Sequence, residues 1–228
     1  MGVLFRKTFL FLFCCFVAVL LAGCSSSGRN LPDDCLLRVD DLLLSKDDFN
    51  NILDIMKAAY PYEALKDEKV LREIKVQLLK QLTEELILTK RADELGITVS
   101  DDELEKAVDS IRKDYPNGAF EKALLENAIT FDMWKKRLKK AMLIEKVINR
   151  ELVEKVRISP EEAREYYRRH HDHTDGKGQE TGPKAPDIAL LKQLRREKAQ
   201  QAYAGWLRKI QKNYHIELNE NAWKEILG

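Results

Sequence analysis

His170, His171 and His173, with Asp172 among them, gather three of the four histidines of this 228-residue chain beside a carboxylate. Imidazole and carboxylate donors of that kind suit zinc or nickel. Convergence on one ion is the difficulty, because neighbours at i, i+1 and i+3 where a helix runs into a loop point apart. No cysteine assists them, so the run reads as solvated histidines and no metal site is expected. The paired acids Asp101-Asp102, Glu84-Glu85 and Glu161-Glu162 are the other candidates for chemistry, as general acid and base. They fall where helix N-termini or solvated faces favour carboxylates. Neither a Ser/His/Asp order nor a phosphate-binding glycine loop accompanies them. The residue types therefore predict no catalytic residue, no cofactor and no small-molecule substrate.

The N-terminus carries a different kind of chemistry. Arg6 and Lys7 precede an uncharged apolar run from Phe9 to Leu21, the pattern of an export signal. That run of 13 residues is shorter than the roughly 20 a membrane-spanning helix needs. Its end, Leu21-Ala22-Gly23-Cys24, resembles the lipobox of bacterial lipoproteins. The resemblance implies cleavage before Cys24, acylation of its sulfur (palmitate) and a membrane anchor. Ser25 after the cysteine leans towards the outer membrane. Residues 1–23 are thus read as a lipoprotein signal peptide and 24–35 as a flexible tether rich in Ser, Gly, Asn and Pro.

Losing Arg6 and Lys7 leaves 37 basic residues against 38 acidic ones, since the whole chain holds 39 and 38. A net charge near −1 gives no footprint for nucleic acid. Cys14 and Cys15 leave with the signal and Cys24 is lipidated, so Cys35 has no partner and no disulfide framework exists.

The remaining chain is written in amphipathic helical periods with explicit punctuation. Two apolar stretches around Asp40-Asp41 suggest a hairpin-like or bulged strand. Ser45 with Asp48 caps a helix from about Lys46 to Tyr60. Leu71, Ile74, Leu78, Leu82 and Leu86 mark one face of a long helix that ends at Gly96. Ser100 with Glu103 opens the next helix as a capping box, and a short one follows around Phe120, Ala123 and Leu124. Thr130 opens another long helix whose apolar face runs through Phe131, Trp134, Leu138, Ala141, Ile148, Leu152 and Val156. Ser159-Pro160 restarts the pattern. From Asp187 to Tyr214 a last helix carries Leu191, Leu194, Ala202, Trp206 and Ile210 on one side. The alternating Ile216 to Leu218 is a strand that needs a partner, and the only other strand-like residues are 36 to 44. The fold class predicted is mainly α, with the two chain ends joined in a small two-stranded sheet and a short terminal turn after it.

Three segments in order, "GITVSDDELEKAVDSIRKDYP", "FDMWKKRLKKAMLIEKVINRELVEKVRISPEEAREYYRRH" and "RREKAQQAYAGWLRKIQKNYHIELNENAW", resemble the N-terminal chaperone module of the SurA family and its PrsA-like foldase relatives. The resemblance covers roughly residues 36 to 171 and 187 to 223. In that family a parvulin prolyl isomerase domain follows the double tyrosine, after which a last helix and strand return to complete the core. Here the return comes after 15 residues, 172 to 186, whereas a compact domain takes at least about 50. Residues 172–186 are therefore read as a linker in place of the parvulin domain. Residues 36–171 and 187–228 are read as one helical chaperone domain and the segment completing its core.

What the resemblance implies is a lipid-anchored periplasmic chaperone that works without ATP and without isomerase activity. Its partners are unfolded polypeptides, with outer-membrane proteins as candidate clients. The alternatives are a divergent prolyl isomerase and a structural adaptor of an envelope assembly complex. The residues proposed for client contact are Tyr115, Phe120, Phe131, Met133, Trp134, Tyr166 and Tyr167. The basic last helix, with Lys192, Arg195, Arg196, Lys198, Arg208, Lys209 and Lys212 against Asp187 and Glu197, reads as a solvated face, with anionic lipid as the competing reading.

Overall fold

The computed structural model of the chain describes residues 31–171 and 188–228. The signal peptide, Cys24, the 172–186 linker and His173 lie outside them, as does the side chain of His171. Alternating apolar residues form strands β1, Cys35–Val39, and β2, Leu42–Ser45, joined through Asp40-Asp41. Asp40 sits at φ 53°, a left-handed conformation that Asp tolerates better than most residues. The two strands pair antiparallel, with a register shift between Cys35 and Leu37. Strand β3, Ile216–Leu218, pairs antiparallel with the other edge of β1, Val39 opposite Ile216 and Leu37 opposite Leu218. The order is β2-β1-β3.

The chain ends therefore meet in a sheet as expected, but it has three strands where two were expected, because the hairpin pairs with itself as well as with the returning strand. β1 begins at Cys35, one residue inside the stretch assigned to the tether. Hydrogen bonds lock the junction. The Asp40 amide donates to the His215 carbonyl at 2.9 Å, and the His215 amide donates to Asp40 Oδ1 at 2.8 Å. The Asn219 amide reaches the Leu36 carbonyl at 2.9 Å, and its side-chain amide reaches that of Cys35 at 3.1 Å. Asn219 also accepts from the Ala222 amide and so caps the last helix.

The helices follow their caps. Helix α1, Lys46–Lys57, starts where Ser45 Oγ accepts from the Asp48 amide at 3.0 Å. A single turn, α2, Tyr62–Leu65, leads to α3, Glu68–Glu94, whose 27 residues make a rod of about 40 Å. Its end is a Schellman turn: the Gly96 amide bonds the Asp93 carbonyl, the Ile97 amide bonds that of Ala92, and Gly96 supplies φ 62°. Helix α4, Asp101–Lys113, opens on the complete Ser100/Glu103 capping box. Helix α5, Ala119–Glu126, is followed by α6, Phe131–Ile148, capped by Thr130. A π-helical turn, Asn149–Val153, extends α6, with the Glu154 amide bonded to the Asn149 carbonyl at 2.9 Å. Helix α7, Pro160–His171, carries a second reciprocal cap between Ser159 and Glu162. Helix α8 is Ile188–Gln211, and α9 is Glu220–Leu227, a full helix where only a turn was expected.

Three apolar clusters are threaded by these elements. β1, α1, the first half of α3 and α9 close around Leu36, Leu37, Phe49, Leu78 and Leu82, with Phe49 meeting Trp223 edge to face at 5.8 Å. The second half of α3, α6 and α8 bury Val39, Ile87, Leu88, Ala92, Val147, Leu207, Ile210 and Tyr214. Val99, Leu104 and Val108 form the third, under the near end of α6. On α8 the expected stripe is only partly right. Leu194 and Ile210 are buried, but Ala202 is exposed, and Ala199 and Leu207 take the interior positions. The helix packs on α7 and the π-turn, and its late residues Leu207 and Ile210 join the cluster around Val39 and Ile87, so its buried face changes along its length.

Candidate functional site

The width of α6's apolar surface builds the site. Trp134, Leu138, Ala141, Ile144 and Ile148 recur every three or four residues, yet Val147 alone on α6 is fully buried. The stripe instead lines a trench of about 870 Å³. Ile52 and Ile55 of α1, Leu88 of α3, Ile111 of α4 and Tyr203 of α8 supply the other apolar walls. Glu84, Glu85 and Glu145 stand on its rims with Arg137 and Lys140, and Lys140 Nζ lies 3.8 Å from Glu85 Oε2. Burial pushes the Tyr203 phenol above its ordinary pKa, and the charge on Glu84 adds to the shift.

Two smaller hollows adjoin this trench. One of about 470 Å³, between Leu124, Leu125, Ala128 and Phe131, shares Ile129 with it. The other, of about 260 Å³, lies between Leu152, Val153, Ala199 and Arg196 and shares Ile148 and Tyr203. Each thus borders the trench through shared lining residues. Leu125, at the first, is 80% exposed, a large apolar side chain offered to solvent.

Ion pairs hold the walls in place. Lys146 Nζ contacts both carboxylate oxygens of Glu103, at 2.6 and 2.8 Å, and the Thr98 carbonyl at 2.8 Å, which fixes α6 against the start of α4. Lys146 and the Ser100 amide together hold the Glu103 carboxyl down at about 2. The Lys139–Asp101 and Lys135–Glu105 pairs repeat the link along the same two helices.

Of the seven residues expected to contact a client, four meet in one knot, Met133 stands beside it, and two lie apart. Phe120 centres an aromatic knot, with Tyr115 at 5.6 Å, Trp134 at 4.8 Å and Phe131 at 6.4 Å between ring centroids. Arg112 lies over the Phe120 and Phe131 rings at 5.4 and 4.7 Å. Phe120 is itself buried, so it supports the knot and is closed to a ligand, which corrects its expected role. Trp134 and Phe131 are half-buried and line the trench and the first hollow, while Tyr115 and Met133 are exposed beside them.

Tyr166 and Tyr167 lie apart, on α7. Tyr166 is buried, donates its hydroxyl to Glu197 and stacks on the His170 ring at 4.0 Å; it too is packing and no contact surface. Burial and Glu197 push its phenol up to about 12. His170 Nδ1 lies 2.8 Å from the Tyr166 carbonyl, and no group of three metal-ligating residues occurs among the described residues. Sequence reasoning missed Ile52, Ile55, Leu88, Ile144 and Tyr203. The available signal was that α6 carries more apolar residues than one packed face needs.

The charged groups at this trench are rim residues, with Lys140 and Glu85 paired, and no Ser, Cys or His among the described residues lines it. What it can do is cover apolar side chains reversibly, each worth roughly 1.5–3 kcal/mol when fully buried.

The profile of the SurA-like N-terminal domain matches residues 3–148. The foldase protein PrsA of Clostridium botulinum strain 657 is 34% identical over 128 residues, which are 52% of this chain and 38% of that protein. The chaperone SurA of Hahella chejuensis is 30% identical over 160 residues, 65% of this chain and 35% of that protein. The chain thus spans under two-fifths of the length of these curated relatives. Among solved structures, a SurA-like chaperone of Campylobacter jejuni overlaps 82% of this chain and 100% of its own at a TM-score of 0.48 and 13% identity. Among the described residues no helix is long and apolar enough to cross a membrane.

Proposed function

The chain belongs to the SurA-like N-terminal domain family, and from that premise we propose that it is an ATP-independent chaperone that holds unfolded polypeptides in the α6 trench. Relatives are chaperones or foldases by name, which supports a role in protein folding. The observation that carries the reading is the apolar stripe of α6, which lines the trench and, apart from Val147, is only half-buried or exposed. An exposed groove of that kind, rimmed by charge, marks an interaction site.

In this reading the protein works outside the cytoplasm, tethered by acylated Cys24, with outer-membrane proteins as candidate clients. It lacks isomerase activity, because only 16 residues, 172–187, separate α7 from α8. A compact catalytic domain takes about 50 residues or more. Suppression of aggregation of a reduced, unfolded client tests the proposal. Ala141→Glu places a charge in the trench from an exposed helix position and should abolish suppression while leaving the melting temperature within about 2 °C, as expected for an exposed substitution. Full suppression by that variant would remove the trench from the mechanism. Turnover of a proline-containing tetrapeptide would instead support the isomerase reading.

A further inference from the structure

The trench has an electrically unbalanced end. At its centre, acids and bases face each other across the rims, and in the first hollow Arg112 is paired with Glu121 at 3.3 Å. In the last hollow the one charged residue is Arg196. Lys192 stands one turn before it on α8 and Arg195 directly before it, so Arg195 and Arg196 are the i+3 and i+4 neighbours of Lys192, and all three are exposed.

No acid among the described residues pairs with any of the three. Glu197, the one carboxylate on α8, accepts from Tyr166 and Gln193. On α7, Glu162 is held by Lys198, Glu161 by Arg164, and Glu165 by Arg168 and Arg169. Glu151 of the π-turn is engaged by Arg91 and Lys155. Like charges at this spacing repel and weaken a helix. Here that cost stands beside an apolar hollow that opens into the trench.

We infer that the α8 end of the trench selects clients whose apolar segment is flanked by acidic residues, through Lys192, Arg195 and Arg196. The inference rests on the trench being the client site. Apolar residues fill the hollow lined by Ile148, Leu152, Ala199 and Tyr203, and the acidic flank meets the three cations at its rim. The contact is solvent-exposed, so it sets preference and weakens with salt.

The test uses three fluorescent peptides with one shared apolar core, flanked by three Glu, three Gln or three Lys, bound to the whole protein and followed by anisotropy. The Glu peptide should bind about tenfold more tightly than the Lys peptide at low salt, a sum of modest surface pairs, and the gap should close at about 1 M salt. The variant Lys192→Gln/Arg195→Gln, which leaves the hollow-lining Arg196 in place, should lose most of that preference and keep its affinity for the Gln peptide. Arg208→Gln/Lys209→Gln removes equal charge from the other end of α8 and should keep the preference. Equal affinity for the Glu and Lys peptides in the unaltered protein would overturn the inference, as would a preference that survives the first variant or is lost equally in the second. Failure of Ala141→Glu to weaken the Gln peptide would instead strike the trench reading, which separates the two failures.

Discussion

Arg91 of α3 grips Glu151 of the π-turn through two parallel hydrogen bonds, Nε to Oε2 at 2.8 Å and Nη2 to Oε1 at 3.0 Å. Its third nitrogen reaches Glu94, whose carboxylate also accepts from the Tyr214 hydroxyl at 3.0 Å. One guanidinium thus ties the long helix, the turn that ends α6 and the returning C-terminal segment together. Arg91 holds the Glu151 carboxyl below the ordinary carboxylate range against an opposing contribution from burial. A depressed folded-state pKa contributes stability above the unfolded value and loses it as pH falls through the folded one.

Replacing Glu151 with Gln should therefore cost about 1.5–3 kcal/mol at pH 7, the range for a charge-assisted bond. The cost should begin to shrink as pH falls through the ordinary Glu value of about 4.3, where Glu151 of the unfolded chain protonates, and be lost through the lower folded value. Thermal melts of both proteins at pH 7 and pH 3 measure it. An undiminished difference at pH 3 would mean that packing at the turn, and no charge pair, sets the loss.

The return of α8 and β3 carries part of the second core, since Leu207, Ile210 and Tyr214 pack against Val39 and Ile87. Ile210→Ala should cost about 2–5 kcal/mol, as large-to-small core changes do. Ending the chain after residue 187 removes these side chains and the β3 edge of the sheet at once. The product should be protease-sensitive and melt without cooperativity. A cooperative melt of the truncated protein would show that residues 31–171 form a complete core without their partner.

Elements with explicit caps were legible in the sequence. Ser45, Ser100, Thr130 and Ser159 start helices because their hydroxyls satisfy amides that the first turn leaves free, a local demand that needs no tertiary knowledge. The meeting of the chain ends was legible for a related reason, since Ile216–Leu218 alternates and has no local partner. The trench was not legible. A stripe such as Trp134, Leu138, Ala141 and Ile148 looks the same whether a neighbouring helix covers it or stands off from it. The same ambiguity put Phe120 and Tyr166 among the contact residues, where the structure buries both. The rotation of α8's buried face was hidden too, because it follows from packing on α7 and the π-turn and, late in the helix, on the cluster around Val39 and Ile87.

Cys24 carries the proposed attachment. Cys24→Ala should accumulate as an uncleaved precursor that incorporates no labelled fatty acid and sediments away from the membrane fraction after signal removal is forced. Lipid label on that variant would sink the assignment.

The aromatic knot separates support from contact within a few ångströms. Phe120 is 4% exposed and touches three rings, so Phe120→Ala should open a cavity and cost about 3–5 kcal/mol. Tyr115 is 44% exposed at the edge of the same knot, and Tyr115→Ala should change stability by only about 0.5 kcal/mol, as surface positions do. Trp134 lines the trench and lies 4.8 Å from Phe120, so its fluorescence reports on both. In Tyr115→Ala, client peptide should still shift the Trp134 emission. In Phe120→Ala the free protein's emission should already be red-shifted, because the ring loses the neighbour that shields it from water. A Phe120→Ala protein with unchanged emission and an unchanged melt would show that the knot is loose in solution and that α5 does not brace the trench wall.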